Sequence, residues 1–350
     1  MKKYKKAVTV LCAVLLILAA AVVFLWVRFG QRAGRYQRTD EAMGTDVQQT
    51  VYGTKAESAA SAAVTDIGLL NDRISWKTES SDIARLNAAA GTDWISVDPK
   101  TVQLLNLSLE VAEKSGGAFD PAILPLSSLW DFGGNNQHVP SKAEIAKYLP
   151  YVDYRYLRVD TAHSLASLRN HFTGVSLDAL AAGAACDEAV SAYRTAGAEC
   201  GIVSVGDAVG TYGAKSDGSD WSVAVRDPSS GEGTASAMGE IRLTSGFLST
   251  CGIHEQSFRQ NGVLYHSLLN PKTGYPQNNG LVSVTVEADG GALSSALANA
   301  CFVLGMEKSR SLLTAYHAGA VLIDSRNRVF VAGDLKDRFR ITDSRYVLQP

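Results

Sequence analysis

The chain has 350 residues, 46% of them hydrophobic and 19% charged, proportions that suit a packed globular protein and are too apolar for a disordered one. Its net charge of −2 hides an asymmetry: residues 1–35 hold seven lysines and arginines and no acid, and beyond them 26 basic residues face 35 acidic ones. So acidic a body lacks the electrostatic footprint of a nucleic-acid binder, and five cysteines without a G-X-Y or heptad period exclude disulfide scaffolds, collagen and coiled coils.

After a basic segment at 1–6, residues 7–27 form a run without a charge. As a helix it spans roughly 30 Å, the thickness of a bilayer core. Cleavage after Ala21 would leave Val22–Val27 as a greasy new N-terminus, so an uncleaved signal-anchor is the better reading. The early lysines place the N-terminus in the cytoplasm and the body outside the cell membrane. Residues 28–40 read as a polar linker.

Within 41–350 the pattern predicts a strand at 47–52 and an Ala-rich helix over Ala56–Ile74, with Val64, Ile67, Leu70 and Ile74 at helical spacing. A helix over 102–114 stops at Gly116-Gly117, and Ser141 with Glu144 has capping-box spacing before a short helix ending at Tyr148. Further helices are expected at 181–195 and 293–304, and strands at 201–205, 221–225, 241–243, 281–287 and 320–323. Strands outnumber helices without strict alternation, which favours α+β over a doubly wound sheet. The four body cysteines, Cys186, Cys200, Cys251 and Cys301, permit two disulfides, but the Ala-rich surroundings of Cys186 and Cys301 suit small buried side chains.

Four stretches are more specified than a surface requires. Ser115-Gly116-Gly117-Ala118-Phe119-Asp120-Pro121 sets backbone freedom beside a ring and a carboxylate. Val203-Ser204-Val205-Gly206-Asp207-Ala208 is a strand entering a Gly turn, whose free N–H groups suit a phosphate. Residues 265–276 end a strand pattern at His266 and turn through Lys272, Thr273 and Gly274. Ser295 and Asn299 stand one helical turn apart, both bearing oxygen ligands. Singly, each has a plain structural reading.

Taken in order, with Met43-Gly44-Thr45, Ser81-Asp82-Ile83-Ala84-Arg85-Leu86-Asn87 and Leu129-Trp130-Asp131-Phe132-Gly133, they resemble the ApbE family, the FAD:protein FMN transferases. Residues 81–87 are similar to the family's S-E-I-S-R-L-N, and 265–276 to its H-I-I-D-P-x-T-G-x-P. The resemblance implies one domain over 41–350 with a largely antiparallel sheet flanked by helices. It also implies a metal-dependent transfer of FMN from FAD to a Thr or Ser hydroxyl of an exported or membrane redox protein, with Mg²⁺ and release of AMP. On this resemblance His266 is the catalytic base. Met43 and Trp130 wall the pocket, Phe119 and Asp120 belong to its flavin segment, and Gly206, Asp207 and Thr273 contact the cofactor. Ser295 and Asn299 take the metal positions.

The departures cluster at the chemistry. Where the family has D-L-G-G-I-A-K-G-Y-A-x-D, residues 176–187 put Ser176 at the leading aspartate and Ala182 at the lysine. Where it has A-D-A-L-A-T, the metal carboxylate is Ser295 and the threonine is Asn299. Asp178 and Asp289 are the carboxylates placed to compensate. The alternative function is therefore a flavin-binding protein of the cell envelope without catalysis, and a third is a structural subunit that binds nothing.

Overall fold

A computed structural model describes residues 34–230 and 236–350. The basic segment, the expected anchor at 7–27 and linker residues 28–33 lie outside these, and among the described residues no helix is long and apolar enough to cross a membrane. The centre is a nine-stranded sheet. In spatial order its strands are Arg35–Ala42, Thr45–Tyr52, Cys200–Val205, Ala208–Tyr212, Gly246–Gly252, Leu281–Ala288, Gly319–Asp324, Arg328–Ala332 and Val347–Leu348. Every neighbouring pair is antiparallel except the last, which is parallel. The α+β expectation with a mostly antiparallel sheet therefore holds. The sheet begins inside the stretch read as a linker: Arg35–Ala42 alternates exposed and half-buried positions along an edge, with the charged Arg38 and Asp40 on the half-buried side, and such a strand is too polar to register as one.

Both faces of the sheet are covered. Along Gly319–Asp324, Ala320 and Leu322 join the core under the helices, while Val321 and Ile323 join a second cluster with Val223, Met238 and Ile241. Alternate side chains thus serve opposite layers, which is why this antiparallel strand reads as an unbroken apolar run. The helical layer consists chiefly of Ala56–Ile74, Pro99–Lys114, Asp178–Ala196 and Gly291–Leu304. The second layer is a three-stranded sheet of Trp221–Arg226, Ala237–Leu243 and Phe339–Ile341.

Small residues set how closely the helices meet. A Cβ on Gly183 would lie 1.9 Å from the Gly291 carbonyl oxygen, and one on Gly291 would lie 2.1 Å from that of Gly183. Only glycine permits this backbone contact between Asp178–Ala196 and Gly291–Leu304. Asp187 locks the same crossing, its two carboxylate oxygens accepting from the Gly291 and Ala292 N–H groups at 2.7 and 2.9 Å. It thereby satisfies donors that a helix start leaves open. A third cluster, around Trp130, Leu126, Ile145 and Leu269, lies beneath the short helix Leu124–Trp130. All four body cysteines are free and buried, so the reading as small apolar side chains stands.

Candidate active site

The crossing glycines bring the N-terminus of Asp178–Ala196 against one face of Gly291–Leu304, and a cavity of about 270 Å³ opens beside them. Phe119, Asp120, Asp207, Ser295 and Asn299 line it together, although they come from three separate stretches. The lining also includes Asp178, Ala182, Ser249, Glu255 and Ser267. A larger groove of about 680 Å³ beside Met306, Phe330 and Pro350 gathers none of the expected residues.

Asp120 has a structural and a chemical side. Its oxygens accept from the N–H groups of Ala122 at 2.8 Å and Tyr154 at 3.0 Å, bracing the Pro121 turn and tying it to a distant loop. Burial pushes its carboxyl up to about 6 despite those bonds. Asp207 stands at the tip of the Gly206 turn, where Gly206 has φ +53°. Its carboxyl pairs with that of Glu255. Burial first, then the charge of Asp207, pushes Glu255 up to about 9, so the proton the two share resides on Glu255 at neutral pH. Nothing in the local sequence marks Glu255: it lies in an irregular loop after Gly252, and only the fold carries it to Asp207.

Five expected residues do not line the cavity. Trp130 is fully buried in the third cluster, its indole N–H donating to the Gly274 carbonyl at 2.9 Å and its ring stacked on Phe132. It supports the 265–276 segment from beneath instead of walling the pocket. Thr273 is exposed in that segment's turn, accepting from the Tyr275 N–H at 3.4 Å. Met43 sits at φ +57° in the hairpin turn between the first two strands, and Gly206 borders that hairpin, with Thr45 Oγ1 3.5 Å from where its Cβ would be. Both shape the rim.

His266 needs a correction. Its ring lies edge-on to Phe302 at 5.7 Å, 6% exposed, with Nδ1 unpartnered. Burial pushes it down to about 4, against a backbone hydrogen bond at Gln277. The neighbouring Ser267 faces the cavity instead. Counting back from Asn270-Pro271, which stand where H-I-I-D-P has D-P, the histidine position falls on Ser267. A one-residue offset decides which side of an extended segment a side chain takes. The expected base is thus absent from the lining.

Directed hydrogen bonds govern the corner at 295 and 299. Ser294 donates to the Gly291 carbonyl at 2.8 Å, so the 2.7 Å contact between Ser249 and Ser294 is donated by Ser249. Ser295 in turn donates to Ser249 at 2.8 Å. Both amide hydrogens of Asn299 are also spent, on the carbonyls of Ala179 at 3.2 Å and Ser295 at 3.0 Å. Ser295 and Asn299 thus line the cavity with their hydrogens already committed, beside Asp178, whose carboxylate Trp76 holds by its indole N–H at 2.8 Å. No three His, Cys, Asp or Glu side chains among the described residues are grouped to hold a metal ion. This donor set fits a hard cation that arrives with further oxygens of its own, and is too weakly charged for an all-protein site.

The sequence model of the ApbE family matches residues 43–323. An "FAD:protein FMN transferase" of Treponema pallidum is 30% identical over 336 residues, covering 91% of this chain and 92% of its own. The crystal structure of the ApbE protein of Thermotoga maritima superposes with a TM-score of 0.77 at 30% identity, over 83% of this chain and 94% of that one. The flavin transferase ApbE of Vibrio cholerae shares the fold, with a TM-score of 0.78 at 22% identity over 87% and 99% of the two chains.

Proposed function

The chain belongs to the ApbE family, and from that premise we propose that it is an FAD:protein FMN transferase whose cavity beside Asp120, Asp207, Ser295 and Asn299 takes FAD. The observation that carries the reading is the convergence of the family's separate segments on one cavity. In the transfer, a Thr or Ser hydroxyl of the acceptor attacks the flavin-side phosphorus. The bond to the AMP oxygen breaks, and AMP leaves as the phosphoester to the acceptor forms. A bound Mg²⁺ supplies charge neutralisation of the pyrophosphate. Phe119 offers an apolar face to the ring system. Asp120 holds its loop through two backbone N–H bonds, and its oxygens are committed to them. The hydroxyl proton therefore goes to the Asp207–Glu255 pair, whose ionised member is Asp207. The acceptor is an exported or membrane redox protein, and the segment at 7–27 holds the domain on the extracytoplasmic side.

Ser267 and Ala182 favour a second reading, in which the protein holds FAD in the envelope without transferring it. The full chain in detergent, incubated with FAD, Mg²⁺ and a Thr-bearing acceptor, separates the two. Covalent FMN on the acceptor by mass spectrometry supports transfer. Quenched flavin fluorescence with no adduct supports the carrier. No flavin binding rejects both.

A further inference from the structure

We infer that the turn Gly252–Glu255 conducts the acceptor's proton out of the active-site cavity: Glu255 relays it from Asp207 on one face, through one water, to His254 on the other. This deepens the transferase reading and rests on it. The observation behind it is a wall with a polar cavity on each side. Asp207 lines the main cavity only, whereas Thr250, Gly252 and Glu255 line both that cavity and a side cavity of about 20 Å³. Arg226, His254 and Ser283 complete the side cavity. A space of that size holds one water, and this lining supplies the several polar partners that a held water needs. The groups therefore stand in series: Asp207 toward the substrate, Glu255 on both sides, and His254 on the far side, exposed to solvent. The wall between is one backbone thick. A Cβ on Gly252 would lie 3.1 Å from the Val282 carbonyl oxygen and 3.5 Å from Glu255 Oε1. Thr250 fixes its other end, donating its N–H to the Asp207 carbonyl at 3.0 Å and sharing a hydroxyl hydrogen bond with Thr285 at 2.9 Å.

Charge gives the relay its direction. Burial, and after it the negative charge of Asp207, keeps the proton on Glu255. Once the acceptor hydroxyl hands its proton to Asp207, that charge is gone and Glu255 releases its own proton more readily. One proton thus enters on the substrate face as another leaves on the far face. Passage of the new proton from Asp207 to Glu255 then restores the starting state, with only O–H and N–H bonds made and broken. Arg226 favours the charged form of both carboxyls and so steadies the moment when Glu255 is ionised. Partial burial and the positive charges of Arg259 and Arg226 push His254 below the ordinary imidazole range, so it is neutral at pH 7 and able to accept. Cys251, on the same turn, takes no part, because burial keeps it a thiol.

The test is turnover by the full chain in detergent at low buffer concentration, with FAD, Mg²⁺ and a Thr-bearing acceptor, beside a flavin-fluorescence titration of each variant. Glu255→Gln keeps a hydrogen-bond donor for Asp207 but passes no proton. Its turnover should fall at least about tenfold while its affinity for FAD is unchanged. His254→Gln, at an exposed position, should also turn over more slowly, and added imidazole should restore the rate, which a packing defect would not allow. Undiminished turnover in either variant, or a slow His254→Gln that imidazole does not relieve, overturns the inference and leaves the transferase reading in place. Loss of FAD binding in Glu255→Gln overturns it too, by assigning the side chain to the binding site. No transfer by the unaltered protein overturns the transferase reading and this inference with it.

Discussion

Asp120 shows how one side chain can be both brace and liability. Replacing it with Ala leaves the Ala122 and Tyr154 N–H groups without their acceptor inside the fold, and should cost about 2 kcal/mol or more in urea unfolding at pH 7. A neutral result would mean that water reaches both groups. His266 carries a pH signature. Its folded pKa lies near 4, below that of an ordinary imidazole, because burial disfavours the charged ring. The unfolded chain therefore takes up a proton between pH 7 and 5 that the folded chain refuses. Its contribution to stability is full above the unfolded value and is lost as pH falls. His266→Phe should remove about 2 kcal/mol of the loss in stability seen between pH 7 and pH 5. Identical pH dependence in both proteins would place the imidazole in water. The sequence signal at this point is a motif with one histidine beside it, and the fold turns the adjacent Ser267 to the cavity instead. No pattern of residue types shows which of two adjacent side chains faces a cavity.

At the scale of elements, local signals did well where a helix or strand has one buried stripe. Ala56–Ile74 is the helix its spacing predicts, with Ala59, Ala63, Ile67, Leu70 and Ile74 buried, although Val64 sits at the edge of the stripe. The capping box of Ser141 and Glu144 is formed in both directions. The helix expected from 102 starts instead at Pro99, capped by Asp98 onto the Lys100 N–H, a start signal that the apolar spacing alone does not contain. The crossing of Asp178–Ala196 over Gly291–Leu304 matters most for the site. Gly183→Ala must push the two backbones apart and should cost about 3 kcal/mol. It should also weaken FAD binding, because the same crossing sets Asp178 and Ala182 opposite Ser295 and Asn299. Thermal unfolding and a flavin titration on the same sample check both. An unaltered melting temperature would show that the helices have room to spare.

For the whole molecule, the C-terminal segment ties the second layer to the central sheet. Tyr346 OH and Arg345 Nη2 both bond Asp227, at 2.5 Å each, and Val347–Leu348 adds the parallel edge strand. Burial opposes ionisation of Asp227, but hydrogen bonds from Ser229, Tyr346 and Arg345 outweigh it and hold the carboxyl well below the usual range. Its stabilisation is present above the unfolded value near 4 and is lost as pH falls below that. Deleting residues 345–350 removes two partners of a carboxylate only 2% exposed, and should cost about 3 kcal/mol or more at pH 7. The same deletion should flatten the loss of stability below pH 4. Denaturant unfolding of both proteins at pH 7 and pH 3 reads both effects, and an unchanged acid limb would assign the acid sensitivity elsewhere.

The sequence by itself determined the class of fold, most of the elements, and the family, because these rest on local periodicity and on the order of short motifs along the chain. It also located the chemical departures at Ala182, Ser295 and Asn299, since residue identity needs no coordinates. The tertiary structure decided what those residues meet. Asn87 shows the difference on a small scale: its amide bonds both the N–H and the carbonyl of Val175, 88 positions away, and nothing near Asn87 in the sequence names that partner. The pairing of Asp207 with Glu255, the exchange of His266 for Ser267 in the cavity wall, and the direction of every hydrogen bond around Ser295 are of the same kind. Each depends on which backbone segments the sheet and the glycine crossing bring together, and contact between segments far apart in the chain is set by packing, which leaves no periodic trace in either segment.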